Sequence, residues 1–188
     1  ILEANGDLPD RVVVSFQNTG KEHPGTLDYV QEVSDRWGVR IVWLEYRPNP
    51  PLFEVVSHNS ASRNGEPFEA LIRKRRFLPN QQARFCTVEM KILAARRYLV
   101  SQGWTEWHNA VGIRADEAHR AKQTEDKRIT QWFPLVDAGV SKADVLGFWR
   151  KQDFDLRIPV GAGNCSACFL KSEAQLAALQ RDQPDPWW

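Results

Sequence analysis

Two short stretches decide the fold: RVVVSF at residues 11–16 and VRIVWLEY at residues 39–46. Each is of strand length and rich in β-branched residues. Each is also too apolar for a strand with one wet face, so both read as buried on both sides. Between them Leu27, Val30, Val33 and Trp37 recur at helical spacing, and Gly38 supplies the residue that closes a helix. Strand, helix and strand in so short a span form a βαβ unit, which predicts an α/β fold built on a parallel sheet.

Outward from this unit the pattern is less regular. Pro48, Pro50 and Pro51 break the chain, and residues 57–68 are polar and loop-like. A short helix is predicted over 68–77. A longer one over 88–102 carries the stripe Val88, Ile92, Leu93, Ala95, Leu99 and Val100, with Gly103 as its cap. Residues 107–113 read as a strand. Residues 141–151 read as a helix with Ser141 as N-cap. A Gly-rich loop follows over 155–168, and a last helix over 172–179. The expectation is one α/β domain over 1–188 with a loop-rich C-terminal part. At the start, Leu2, Glu3 and Ala4 followed by Asn5-Gly6 read as the last turn of a helix and its cap.

The chain has 188 residues, 42% hydrophobic and 26% charged, which fits a folded domain and excludes wholesale disorder. No uncharged run approaches the length of a membrane span. A formal charge of +1 gives no global field toward nucleic acid or lipid. Three cysteines cannot all pair, which argues against a disulfide framework and for a reducing, cytoplasmic setting.

Four constellations carry candidate chemistry. Asn18-Thr19-Gly20-Lys21-Glu22-His23-Pro24 lies at a strand's carboxyl end just before a helix, where open parallel sheets bind ligands. Its backbone N–H groups and Lys21 suit an anion or nucleotide; the plainer reading is a strand-to-helix turn with Pro24 opening the helix. Gly112-Ile113-Arg114-Ala115-Asp116-Glu117-Ala118-His119-Arg120 follows another strand. Its arginines suit phosphate, and a salt-bridged surface turn explains them as well.

Cys165-Ser166-Ala167-Cys168 is a CxxC in the Gly-rich loop, and Cys86 stands just ahead of a helix, where a thiolate is favoured. The pair suits a redox dithiol, half a zinc site or iron–sulfur ligands. Three thiolates on a cubane leave one iron open; three with His119 suit structural zinc. Cys86 alone also reads as a small buried hydrophobe. Finally, residues 71–100 hold eight basic residues against one acid, Glu89, or +7 locally. That suits a phosphorylated or nucleic-acid partner, and a solvated helix face explains part of it, since Arg96 and Arg97 fall off the apolar stripe.

Together these segments resemble the PAPS reductase-like branch of the adenine nucleotide alpha hydrolase (PP-loop) superfamily, in order from about Arg11 to Ser172. The Asn18–Thr26 segment is similar to the family's Asp/Asn-Thr-Gly-x-x-Phe-Pro-Glu-Thr, with His23 for the aromatic residue and Gly25 for Glu. Cys86-Thr87 with Lys91 resembles its Cys-Cys/Thr…Lys element, and Gly112–Glu117 with Arg120 its Gly-Ile-Arg-x-Asp-Glu/Gln…Arg motif. Pro134-Leu135, Asp144-Val145 and Ile158-Pro159 with Cys165-x-x-Cys168 resemble the closing series. The family's Ser-Gly-Gly-x-Asp-Ser phosphate loop is not in the chain and is expected, with a first strand, upstream of Ile1. The reductases' C-terminal Glu-Cys-Gly-(Ile/Leu)-His is absent too, and Thr87 stands where cluster-bearing reductases have a fourth cysteine.

The pattern is nearest to sulfur-transfer members such as the DNA phosphorothioation enzyme and three-cysteine tRNA thiolases. The resemblance implies a parallel-sheet domain binding ATP, or an adenylyl sulfonucleotide, with Mg. Asn18, Thr19, Gly20, Lys21, Gly112, Ile113 and Arg114 would line the nucleotide. Lys91, Arg114, Asp116 and Arg120 would act in catalysis. Cys86, Cys165 and Cys168 would hold a 4Fe-4S cluster, or zinc in its place. Implied partners are a nucleic-acid acceptor on residues 71–100, a cysteine desulfurase or thioredoxin-type protein, and a second copy of the chain. The alternatives are a PAPS or APS reductase, and a binding module with a structural metal that catalyses nothing.

Overall fold

The computed structural model describes residues 8–159, 161–166 and 168–182. The chain divides into two compact units: residues up to Tyr98 together with those from Leu156 onward, and the intervening Leu99–Asp155.

In the first unit, strand β1 (Val14–Asn18) leads into helix α1 (Pro24–Trp37) and back to β2 (Ile41–Tyr46). β1 and β2 pair in parallel, with Val14 opposite Ile41 and Asn18 opposite Glu45, so the βαβ reading holds. His23 caps the helix start, its Nδ1 accepting from Gly25 N at 3.0 Å, and Pro24 needs no partner for the N–H it lacks. Gly38 ends the helix in the left-handed conformation, φ 61°, and its N–H donates to Ser34 O.

Two features differ from expectation. β1 is only half-buried along most of its length; among the described residues it pairs only with β2, and Asn18 alone in it is fully buried. A third strand, β3 (Phe53–Val56), follows the prolines and pairs antiparallel with β2, with Tyr46 opposite Phe53. β2 is thus the central strand, which is why Trp43, Leu44, Glu45 and Tyr46 are buried.

Helix α2 spans Glu66–Arg75, two residues earlier than its apolar pattern suggests. Pro67 at its start fixes the first turn. Next, a π-helical turn, Thr87–Ile92, runs directly into α3 (Leu93–Ser101). The wider π turn changes which residues face inward. Met90 and Ala94 are buried, whereas Val88, Ile92 and Val100 of the expected stripe are exposed. Tyr46, Leu71, Phe85 and Met90 form one core cluster, with Cys86 packed against it. Leu27, Trp43 and Ala61 form another. Arg97 is not a solvated residue: it pairs with Glu89 at 3.3 Å and its Nη1 is buried without a partner. Helix α6 (Glu173–Asp182) closes this unit.

In the second unit β4 (Trp107–Ala110) and β5 (Ile129–Trp132) pair in parallel. A 3-10 segment, Ala115–Arg120, and helices α4 (Pro134–Asp137) and α5 (Lys142–Trp149) complete it. Ser141 is the N-cap of α5 as expected, in a reciprocal box with Asp144: Ser141 Oγ accepts from Asp144 N, and Asp144 Oδ2 accepts from Ser141 N at 2.9 Å.

Candidate functional site

The turn after β1 is where the first unit concentrates its buried polar groups. Asn18 is fully buried and its side chain is fully engaged. Its Nδ2 donates to Glu45 Oε1 at 2.7 Å and to Ser62 O at 2.8 Å, and its Oδ1 accepts from Gly20 N at 3.0 Å. Glu45, equally buried, also accepts from Ser62 N at 2.6 Å and Ser62 Oγ at 2.7 Å, and pairs with Arg47 at 3.0 Å. A buried carboxylate is tolerated because every lone pair has a donor. Asn18 therefore shapes the turn from beneath.

Gly20 takes φ +76°, and a Cβ there would stand 3.0 Å from the Cα and N of Gly65. The two backbones pass as closely as they do because Gly20 has no side chain, while a Cβ on Gly65 would meet the Lys21 side chain. Lys21 lies across Gly65 and donates to Asn64 O at 3.3 Å.

The CxxC loop is fastened to this turn. Ser166 N and Oγ donate to Lys21 O at 2.7 and 3.1 Å. Cys165 Sγ lies 3.3 Å from Thr19 Oγ1 and 3.9 Å from Glu22 Oε1. Glu22 Oε2 accepts from Thr19 N at 2.9 Å and from Thr19 Oγ1 at 2.8 Å. Burial first, then the Glu22 carboxylate, push the Cys165 thiol up to about 11; the Thr19 hydroxyl and the Lys91 ammonium work against them. Lys171 holds the loop from the other side, donating to Gly161 O at 2.6 Å and to Gly163 O. Burial lowers its pKa, opposed by the charges of Cys168 and Cys165.

All three cysteines are free, and each is half-buried. Cys165 and Cys168 share one electrostatic environment with Lys171, while Cys86 packs on the Tyr46–Leu71–Phe85–Met90 cluster. Among the described residues no group of three or more His, Cys, Asp or Glu is arranged to hold a metal ion.

The second group of expected residues lies in the other unit. Arg114 follows β4 and reaches Asp116 at 3.2 Å and Glu117 at 3.0 Å; Arg120 reaches Glu117 at 2.6 Å. Asp116 also accepts from Lys142 N at 3.0 Å, and the Arg114 guanidinium is the main cause that holds its carboxyl below the ordinary range. Gly112 is exposed, and Ile113 N donates to Val111 O. His119 is exposed, one residue before the end of the 3-10 segment.

The sequence singles out neither Glu45, Ser62 nor Lys171, and it gives Glu22 and Ser166, which lie inside the quoted stretches, no role of their own. For Glu45 a signal existed: a carboxylate inside an otherwise apolar strand run needs a buried partner.

The described residues define a mixed α/β protein with small parallel sheets. The chain is 29% identical over 180 residues to the uncharacterized nin region protein ORF290 of Escherichia phage lambda, an alignment covering 89% of this chain. It spans 59% of that relative's length. No family model matches the chain, and no solved structure matches it.

Proposed function

We propose that this is a PAPS reductase-like (PP-loop) domain and that its protein performs nucleotide-dependent sulfur chemistry, as an ATP-dependent sulfurtransferase. The observation that carries the reading is the placement of Cys165. Its sulfur lies 3.3 Å from the Thr19 hydroxyl, at the carboxyl end of β1, although the two are 146 positions apart in the chain. A parallel sheet presents its ligand site at that end, so a thiol loop fastened there belongs beside the bound nucleotide. Near-attack geometry demands such proximity between sulfur and an activated atom.

In the proposed reaction an acceptor oxygen attacks the α-phosphorus of ATP, forming a P–O bond as pyrophosphate leaves. Inorganic sulfide then attacks the acceptor atom that carries this oxygen, and AMP leaves with the oxygen and its electron pair. Lys91, half-buried and near enough to Cys165 to favour its thiolate, supplies positive charge where anions gather. Glu22 and Thr19 fix the turn, and Ser166 fixes the thiol loop upon it.

The fit of a metal cluster is partial. Cys165 and Cys168 are a thiol pair in one loop, whereas Cys86 packs on the core cluster and would have to turn toward them for a three-thiolate site, which the described residues do not already form. An iron left without a protein thiolate would bind the sulfide to be transferred.

The test is the gene's full product, purified without oxygen. Iron at about four per chain, as a cubane requires, with acid-labile sulfide and ATP binding, is the expected result. A colourless protein with stoichiometric zinc, or one that binds no adenine nucleotide, contradicts the reading.

A further inference from the structure

Residues 73–84 present cations and rings together. Arg73, Lys74, Arg75, Arg76, Phe77 and Leu78 are consecutive and all exposed, Arg84 is exposed, and no acid lies between Glu69 and Glu89. Not all of this charge is free. Arg75 is neutralised by Glu89 at 2.6 Å, and Arg97 shares the same carboxylate. Arg73 meets Glu69 at 3.4 Å, but its side chain is 82% exposed, so water screens the pair. Among the described residues Lys74 touches only a carbonyl, Pro48 O. Arg76 and Arg84 face no carboxylate among the described residues. Four cations therefore remain without effective compensation: Arg73, Lys74, Arg76 and Arg84.

The helix dipole explains basic residues in the last turn of α2, where Arg73, Lys74 and Arg75 stand. It does not explain Arg76, which has left the helix at φ 62°, nor Arg84 beyond it. It also does not explain the rings. Phe77 is 48% exposed while its ring meets buried Phe85 edge-to-face, with centroids 4.9 Å apart. The Arg75 guanidinium covers Phe85 at 5.6 Å. Phe77 is thus an open ring held by its neighbour and bracketed by cations.

We propose that this surface binds single-stranded nucleic acid, with Arg73, Lys74, Arg76 and Arg84 on phosphates and Phe77 stacked on a base. Uniform cation density suits any polyanion, but an immobilised exposed ring among cations adds a face that only a base fills well. The inference goes beyond the sulfur-transfer reading and does not need it.

The experiment measures anisotropy of fluorescein-labelled 20-mers, DNA and RNA separately, on the full 188-residue chain without ATP. Four phosphate contacts give a log–log salt slope of about −2.8, so affinity falls about 50-fold between 50 and 200 mM salt. Arg76→Gln/Arg84→Gln halves that slope to about −1.4. Phe77→Ala weakens binding about tenfold at unchanged slope. Because Phe77 touches Phe85, circular dichroism accompanies that variant, and the arginine pair carries the test if it unfolds. No binding at 50 mM salt overturns the proposal. So does equal retention of polyglutamate, which marks an acidic protein partner, and so does equal binding of duplex indifferent to Phe77→Ala. Failure here leaves ATP binding and metal content untouched, so the two readings fall separately.

Discussion

Replacing Asn18 by alanine removes three hydrogen bonds in one step, two of them fully buried. The bond to Glu45 Oε1 at 2.7 Å is made to a fully buried carboxylate, and such bonds contribute about 1.5–3 kcal/mol. Gly20 N loses the acceptor 3.0 Å away and is left orphaned in a buried turn, at a cost of about 1–3 kcal/mol. The bond to Ser62 O is only part-buried, so water can take the place of the lost amide and we add nothing for it. The combined loss is about 2.5–6 kcal/mol, a large share of a typical domain's stability of about 5–15 kcal/mol. For a chain of 188 residues this lowers Tm by roughly 10 °C. The assay is thermal and urea unfolding followed by circular dichroism and tryptophan fluorescence, because Trp43 lies in the same unit. Gln31→Ala is the matched control: it removes the 2.8 Å contact to Asp35 on the exposed face of α1 and should stay within about 0.5 kcal/mol. If Asn18→Ala shifts Tm no more than this control, Asn18 is not a buried tie and the account of the turn is wrong.

Four further outcomes rest on contacts described above. Gly20→Ala should cost about 1–2 kcal/mol for its φ of +76° plus a steric penalty against Gly65, whereas Gly38→Ala, left-handed but in open space, should incur only the first term; equal Tm losses would refute the close approach. Iodoacetamide modification of Cys165, followed by peptide mass mapping, should accelerate about tenfold per pH unit from pH 8 to 10, since its thiol stays protonated until about 11. Glu22→Gln, which removes a carboxylate that raises this pKa, should make it faster at pH 9. Asp144 is held below the ordinary carboxyl range, chiefly by the Ser141 hydroxyl, so its contribution is present above the unfolded pKa and lost as pH falls through the folded one. Asp144→Asn should therefore show a smaller Tm difference between pH 6 and pH 3 than the parent chain.

Much of the fold was readable because local rules agreed. The second β-branched run, the helical stripe from Leu27 and the caps at Gly38 and Ser141 each mark one element where the sequence places it, whereas β1 starts at Val14, three residues into the first run, and extends to Asn18. β3 was hidden by its prolines: Pro48, Pro50 and Pro51 suppress a strand signal, and FEVV is too short to restore it. β5, ITQW, is short, and its polar surroundings leave no apolar alternation long enough to register. The π turn could not be read at all, since an extra residue in a helix leaves the composition unchanged while moving Val88 and Ile92 to the surface.

The site was legible by parts. The turn at residues 18–21 and the CxxC loop were picked out separately, and the contacts between Thr19, Glu22 and Cys165 join them. What stayed illegible was how each polar group is spent. Asn18 turns inward to Glu45, 27 positions away, a pairing that local sequence does not reveal. Arg114 and Arg120 engage Asp116 and Glu117 within their own turn, as the salt-bridged reading of that segment has it.

The most direct measurement is the alkylation rate of Cys165 in the metal-free form of the gene's full product, with and without Mg-ATP, resolved by mass mapping against Cys86. If the turn after β1 and the thiol loop form one nucleotide-side site, saturating Mg-ATP slows modification of Cys165 several-fold more than that of Cys86. Bound nucleotide that leaves the Cys165 rate unchanged would contradict it.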